Sequence, residues 1–306
     1  MHRYWAFGLG IASDVRMDEL AVDPDPKEIP DLTIRREDIS DTVPAVGEAA
    51  LHFVYDKPDG VEMVFPGVAA IRIAGPDRIV ITPHADAPAN YLPFPLLGPA
   101  MGWVLHLRKF FVLHASAVAY GGKSFGFLGD KMAGKSTTAA AFLRAGGSLL
   151  TDDLMAIDTQ KADGLVVQPA FAQLKLSKEA GESVVVPGAK SLPLIMKGFP
   201  KHQFRLNTMH DRATGCDALF VLQRGSDEPR VEWMDGAASL TSLMRYSYSV
   251  RFSQAPVEMQ DRKRYFEQGA RIARDVRIGT LHVPAALDRL QEVVDYVAEQ
   301  LEAEPL

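Results

Sequence analysis

The stretch Gly129-Asp130-Lys131-Met132-Ala133-Gly134-Lys135-Ser136 constrains this chain more than any other feature in it. A run of the form G-x-x-x-x-G-K-S, set between an apolar strand and an Ala-rich helix, asks for one local geometry. The two glycines let the backbone wrap so tightly that successive N–H groups point inward at an anion. The helix that follows adds the positive end of its dipole. Lys135 then brings a charge to the β- and γ-phosphates of a nucleotide, and the Ser136 hydroxyl is placed to bind Mg²⁺. Gly129 to Thr137 therefore form a candidate phosphate loop, with ATP and Mg²⁺ as the expected cofactors.

The flanks fit. His114–Tyr120 reads as a strand, Gly121-Gly122 as a two-residue hairpin turn, and Lys123–Leu128 as the strand that enters the loop. The helix spans Lys135–Arg144 and is closed by Gly146-Gly147; a further strand, Ser148–Thr151, ends in Asp152-Asp153. A strand–loop–helix–strand unit of this size brings its second strand beside the first, with the acids near the loop. Adjacent carboxylates on a strand face opposite ways, so one suits the metal and the other the proton of an attacking hydroxyl. Pairing through the hairpin sets His114 level with Gly129.

The first ninety residues are different in kind. Arg3–Ile11, Leu32–Arg35, Leu51–Tyr55, Val61–Phe65, Ala69–Ile73 and Arg78–Ile81 are β-branched or aromatic runs, separated by turns such as Pro58-Asp59-Gly60. The Pro-rich run Ala85–Pro95 closes them, which predicts a β-rich module over 1–92 and a nucleotide domain over 93–306. A three-four apolar spacing predicts a helix over Leu96–Phe111. Beyond the acids the chain reads as strands (Leu165–Gln168, Phe171–Leu176, Ala218–Leu222, Arg230–Met234) and helices (Leu240–Tyr246, Gln260–Ala273, Ala285–Glu302).

Composition narrows the partners. Thirty-nine acidic against 33 basic residues give a net charge of −6, which argues against a protein held to nucleic acid mainly by counterion release. The single cysteine, Cys216, forms no internal disulfide, and no Cys/His spacing suggests zinc. The apolar run Tyr4–Ala12 lacks a cleavage-site pattern, and His106, Arg108 and Lys109 interrupt the longer run Pro93–Leu113. The expectation is a cytoplasmic enzyme without a membrane segment. Lys201, Arg205, Arg212 and Arg251 are candidates for contact with a transferred phosphoryl group, whereas Lys175 and Lys178 read as strand-face features.

The order of these features, His114-Ala-Ser-Ala-Val-Ala-Tyr120, a glycine hairpin, Gly126-Phe-Leu-Gly129 to Ser136, then Leu150-Thr-Asp152-Asp153, resembles HPr kinase/phosphorylase. The resemblance covers residues 114–158. It implies an α/β fold with a P-loop (Walker A) core like that of HPr kinase and phosphoenolpyruvate carboxykinase. That core has a mixed sheet and an antiparallel strand beside the loop strand, here joined to the small β-rich N-terminal module. It also implies Asp152 as the base toward a seryl hydroxyl, His114 as its partner, Asp153 as a supporting acid near the metal, and assembly as a homo-oligomer. Lys131-Met132 stand where that family carries Ser-Gly, Thr137 where glutamate is common, and the glycine-rich segment used for phosphorolysis is missing. Neither HPr as substrate nor the reverse reaction is therefore carried over. The opening Arg3-Tyr-Trp-Ala-Phe-Gly-Leu-Gly-Ile-Ala-Ser-Asp14 resembles the HPr-kinase-like proteins of lasso-peptide pathways. That likeness implies a serine kinase whose acceptor is the C-terminal serine of a precursor peptide. Two other classes compete: a nucleotide-binding regulatory module without turnover, and a small-molecule kinase, since a phosphate loop does not name its acceptor.

Overall fold

Short β-branched runs alternate with turn residues over the first part of the chain, and they pair into one eight-stranded sheet. The computed structural model describes residues 1–39, 53–57, 60–161, 164–193, 199–207, 209–248 and 259–302. Its strands are β1 (His2–Ala6), β2 (Leu9–Ser13), β3 (Ala21–Val22), β4 (Leu32–Arg36), β5 (Phe53–Lys57), β6 (Gly60–Phe65), β7 (Ala69–Ile73) and β8 (Arg78–Pro83), in the order β3-β1-β2-β4-β8-β7-β6-β5. Residues 51–52 of one expected strand and Pro58-Asp59 of an expected turn lie outside the described residues.

Two sequence readings are corrected here. Arg3–Ile11 is not one strand but a hairpin, because Phe7 (φ 55°) and Gly8 (φ 74°) take the two left-handed positions that a tight turn requires. The Phe7 ring is buried and its N–H donates to the Pro169 carbonyl at 2.8 Å, which ties the hairpin tip to the second half of the chain. The helix expected over Leu96–Phe111 forms with other ends. It runs without a break from α1 (Pro93–Pro95) through a wider-wound stretch over Leu96–Ala100 into α2 (Met101–Leu107). Lys109, at φ 67°, ends it, and Phe111 belongs to the next strand.

The second half contains β9 (Phe111–Leu113), β10 (Ser116–Tyr120), β11 (Lys123–Leu128), α3 (Lys135–Arg144), β12 (Ser148–Thr151), β13 (Met155–Asp158), β14 (Val166–Gln168), β15 (Gln173–Leu176), α4 (Lys178–Ser183), β16 (Lys190–Ser191) and β17 (His202–Arg205). After these come β18 (Ala218–Arg224), β19 (Arg230–Trp233), α5 (Gly236–Tyr246), α6 (Met259–Asp275), β20 (Arg277–Val283) and α7 (Leu290–Glu302). The fold is a mixed α/β one. Its main sheet runs β12-β10-β11-β18-β20-β19, with β11, β18 and β20 parallel and β10 antiparallel to β11. β12 pairs with β10 and not with β11, so the strand carrying the acids is one place further from the loop strand than the crossover argument places it. The hairpin strand β10 already occupies that edge of β11.

Apolar side chains of α3 and α7 cover one face of this sheet, and Leu243, Tyr265 and Ile272 of α5 and α6 help to cover the other. A third core joins the eight-stranded sheet to Leu92, Leu96, Val104, Leu154, Phe171 and Tyr248, and so lies on both sides of residue 92. Among the described residues no helix is long and apolar enough to cross a membrane.

Candidate active site

The loop after β11 has the backbone its glycines foretell. Gly129 sits at φ 149°, and a Cβ there would meet the Ala133 Cβ at 2.8 Å, so only glycine lets the loop close. Met132 (φ 70°) and Gly134 (φ 100°) are also left-handed, and Gly134 leads into α3 without a capping side chain and without an acid in the first turn. The positive end of α3 thus faces the loop with no carboxylate of its own helix to neutralise it. Lys135 is buried, and its Nζ donates to the carbonyls of Gly129 (2.9 Å) and Asp130 (3.2 Å) across the loop. Asp130, Lys131 and Met132 form the exposed crest, where Asp130 pairs with Arg245 at 2.9 Å; Ala133 and Thr137 are half-buried.

The acids stand beside this cradle in two distinct settings. Asp152 is buried: its Oδ1 accepts the hydroxyls of Ser116 (2.5 Å) and Ser136 (2.9 Å), and its Oδ2 accepts the Lys175 main-chain N–H (3.0 Å). Burial and the neighbouring Asp153 push its carboxyl above the ordinary range. Asp153 has a left-handed backbone (φ 73°), a conformation that aspartate tolerates better than most residues. Its Oδ2 pairs with Lys175 Nζ at 2.7 Å, and its side chain is 27% exposed. Burial opposes ionisation, but Lys175, His114 and Lys201 outweigh it and hold the Asp153 carboxyl well below the usual range. Lys175 is itself held charged by Asp153 against the cost of burial.

His114 lies against Asp153. Its Nδ1 donates to the Asp153 carbonyl at 3.0 Å, and its main-chain N–H donates to the Tyr246 carbonyl at 2.9 Å. The reason is the start of β10, two residues later than the sequence reading has it. His114 falls in the link from β9, and Ser116 is the residue that meets Asp152.

Lys175 is the member of the site that the sequence reading assigned elsewhere. The signal was present: it is the lone cation in the buried run from Phe171 to Leu176. Its ammonium lies 5.6 Å from the Phe94 ring centroid, and Phe94 meets Phe199 edge-on at 5.5 Å. Lys201 acts on both acids, Arg205 acts on Glu19, Arg212 is exposed, and Arg251 lies outside the described residues.

The donor set fits a nucleotide and a hard cation. The loop amides and Lys135 suit a polyphosphate, and the Ser136–Asp152 pair supplies oxygen ligands of the kind Mg²⁺ takes. Among the described residues no cluster of three or more His, Cys, Asp or Glu side chains could hold a metal alone. An ion here would share phosphate oxygens and water, the usual manner of Mg²⁺.

No family model matches the chain, and no curated protein matches it. Among solved structures it is similar to the HPr(Ser) kinase/phosphatase from Coxiella burnetii, at 13% identity over 62% of this chain and 98% of that one. The TM-score is 0.29, too low for the likeness to carry any argument.

Proposed function

We propose that this chain is an ATP- and Mg²⁺-dependent kinase, of the HPr-kinase-like kind, that phosphorylates a serine hydroxyl on a peptide or small protein. One observation carries the reading. The phosphate-loop hydroxyl of Ser136 is bonded to Asp152, while the next residue, Asp153, holds a half-buried lysine beside a histidine. A loop that only bound nucleotide would need none of the second group.

When bound, Mg²⁺-ATP supplies the γ-phosphoryl group that the acceptor hydroxyl takes. Lys135 and the loop amides hold the phosphates. Asp152, with three hydrogen bonds on its two oxygens, orients Ser136 on the metal side. Asp153, ionised and partly exposed, receives the proton of the acceptor hydroxyl at its carboxylate, and His114 fixes the backbone that carries it. This reverses the roles that the family resemblance implies for the two acids. A weakly basic carboxylate suffices, because phosphoryl transfer depends mainly on positioning and charge. Lys175 and Lys201 supply positive charge opposite the transferred group. The acceptor considered first is the C-terminal serine of a lasso precursor peptide, with neither nucleic acid nor membrane as partner and a cytoplasmic setting; assembly as a homo-oligomer belongs to the same reading.

The test is mass spectrometry of serine peptides, candidate precursors among them, after incubation with ATP and Mg²⁺. The expected result is gain of one phosphoryl group with the wild type and none with Asp152→Asn, whose far-UV spectrum stays native. ATP binding without any marked peptide or released phosphate would favour the regulatory-module reading.

A further inference from the structure

The pairing of β15 with β17 sets Gln173 opposite Arg205 and Lys175 opposite Gln203. With a side-chain period of two, these four share one face of the ladder, while Leu174, Leu176 and Phe204 pack on the other. Two cations of this face, Lys175 and Arg205, lie within electrostatic reach of Glu19 in the N-terminal module. Glu19 lies between Met17 and Leu20, both buried, and the Met17 N–H is pinned to the Tyr4 hydroxyl at 2.9 Å. The segment is therefore fixed on both sides of the carboxylate.

One oxygen of that carboxylate, Oε2, is shut off from water and accepts no hydrogen bond among the described residues. A buried acceptor without a donor forfeits its hydration with no bond in return. Sites kept at such a cost call for a reason. Lys175 has one. Its ammonium carries three donors on a flexible four-carbon stem, and its bond to Asp153 uses one of them. Asp153 turning its carboxylate toward an acceptor hydroxyl loosens that hold, and the ammonium then has donors to spare for a second partner in a half-buried setting.

We infer that Glu19 is a positioning residue lent to the site by the N-terminal module: its Oε2 takes a hydrogen bond from the Lys175 ammonium when Asp153 engages the acceptor. The inference rests on the kinase reading and extends it to a residue far from the loop in sequence. The exchange moves a hydrogen bond and breaks no covalent bond. Burial pushes the Glu19 carboxyl upward; its own backbone N–H, and then Lys175 and Arg205, draw it part of the way back.

The experiment measures phosphate release from Mg²⁺-ATP, and transfer to any serine peptide the wild type marks, with ATP affinity from titration. Glu19→Met removes the acceptor oxygen and should lower kcat roughly tenfold, the size of one hydrogen bond to a charged group, with KM for ATP unchanged. Glu19→Gln keeps a carbonyl oxygen and should recover most of the rate. In a Lys175→Met background, Glu19→Met should cost nothing further, a coupling that mere packing would not produce. Arg16→Ala, an exposed neighbour on the same segment, should leave the rate unchanged. Should Glu19→Met fail to bind ATP, Glu19→Ala reads the same quantity. An active wild type with equally active Glu19→Met, or a Glu19→Met loss that persists without Lys175, overturns the inference and leaves the kinase reading intact. A wild type that neither releases phosphate nor marks a peptide removes both.

Discussion

The two sides of the site are built in opposite ways. The phosphate side is one unbroken stretch, Gly129 to Ser136, whose geometry is set by local backbone conformation and the start of α3. The proposed acceptor side is gathered from Phe94, His114, Asp153, Lys175 and Lys201, with Glu19 added by inference, and needs the eight-stranded sheet, the β15–β17 ladder and the end of β12 packed together. The contrast teaches that a phosphate-loop geometry can be specified by a short peptide, whereas the cluster around Asp153 is a property of the whole fold.

The contrast can be broken by substitution. Lys135→Ala should abolish both nucleotide binding and transfer, a loss of about a thousandfold or more, because it removes the charge the loop wraps around. Lys175→Met should cost transfer roughly a hundredfold while ATP affinity by calorimetry changes less than about twofold. If it weakened ATP binding as much as Lys135→Ala does, the two sides would be one.

Acid stability offers a smaller and sharper measure. The Asp153 carboxyl is depressed in the fold, so its contribution to stability is complete above the ordinary carboxylate range, near pH ~4, and is lost as the pH falls below that range. Asp152 is raised, so its ionised form costs stability at neutral pH and that cost is relieved on acidification. Thermal melts from about pH 6 to about pH 2 should therefore show a shallower acid decline for Asp153→Asn than for the wild type, by a few °C. Equal slopes would mean that the Asp153–Lys175 pair stabilises nothing.

What could be read from the sequence follows the same division. The loop, the hairpin before it and α3 were legible because glycine spacing and the change of hydrophobic period are local signals. The end of α2 was not, because Phe111 continues the three-four spacing by chance, and only the left-handed Lys109 separates helix from strand. β13, β17 and β20 carried no strong turn signals, yet β20 is interior to the main sheet, where tertiary pairing overrides weak local preference. The partnership of Lys175 with Asp153 spans elements whose order in space no spacing rule reveals.

The apolar core that runs from β1 and β2 through Leu92 and Val104 to Phe171 and Tyr248 has a practical corollary. A chain cut after residue 92 would leave two raw hydrocarbon surfaces in water, each the missing half of the other. Swapping the N-terminal module for another would succeed only if the seam were transplanted with it.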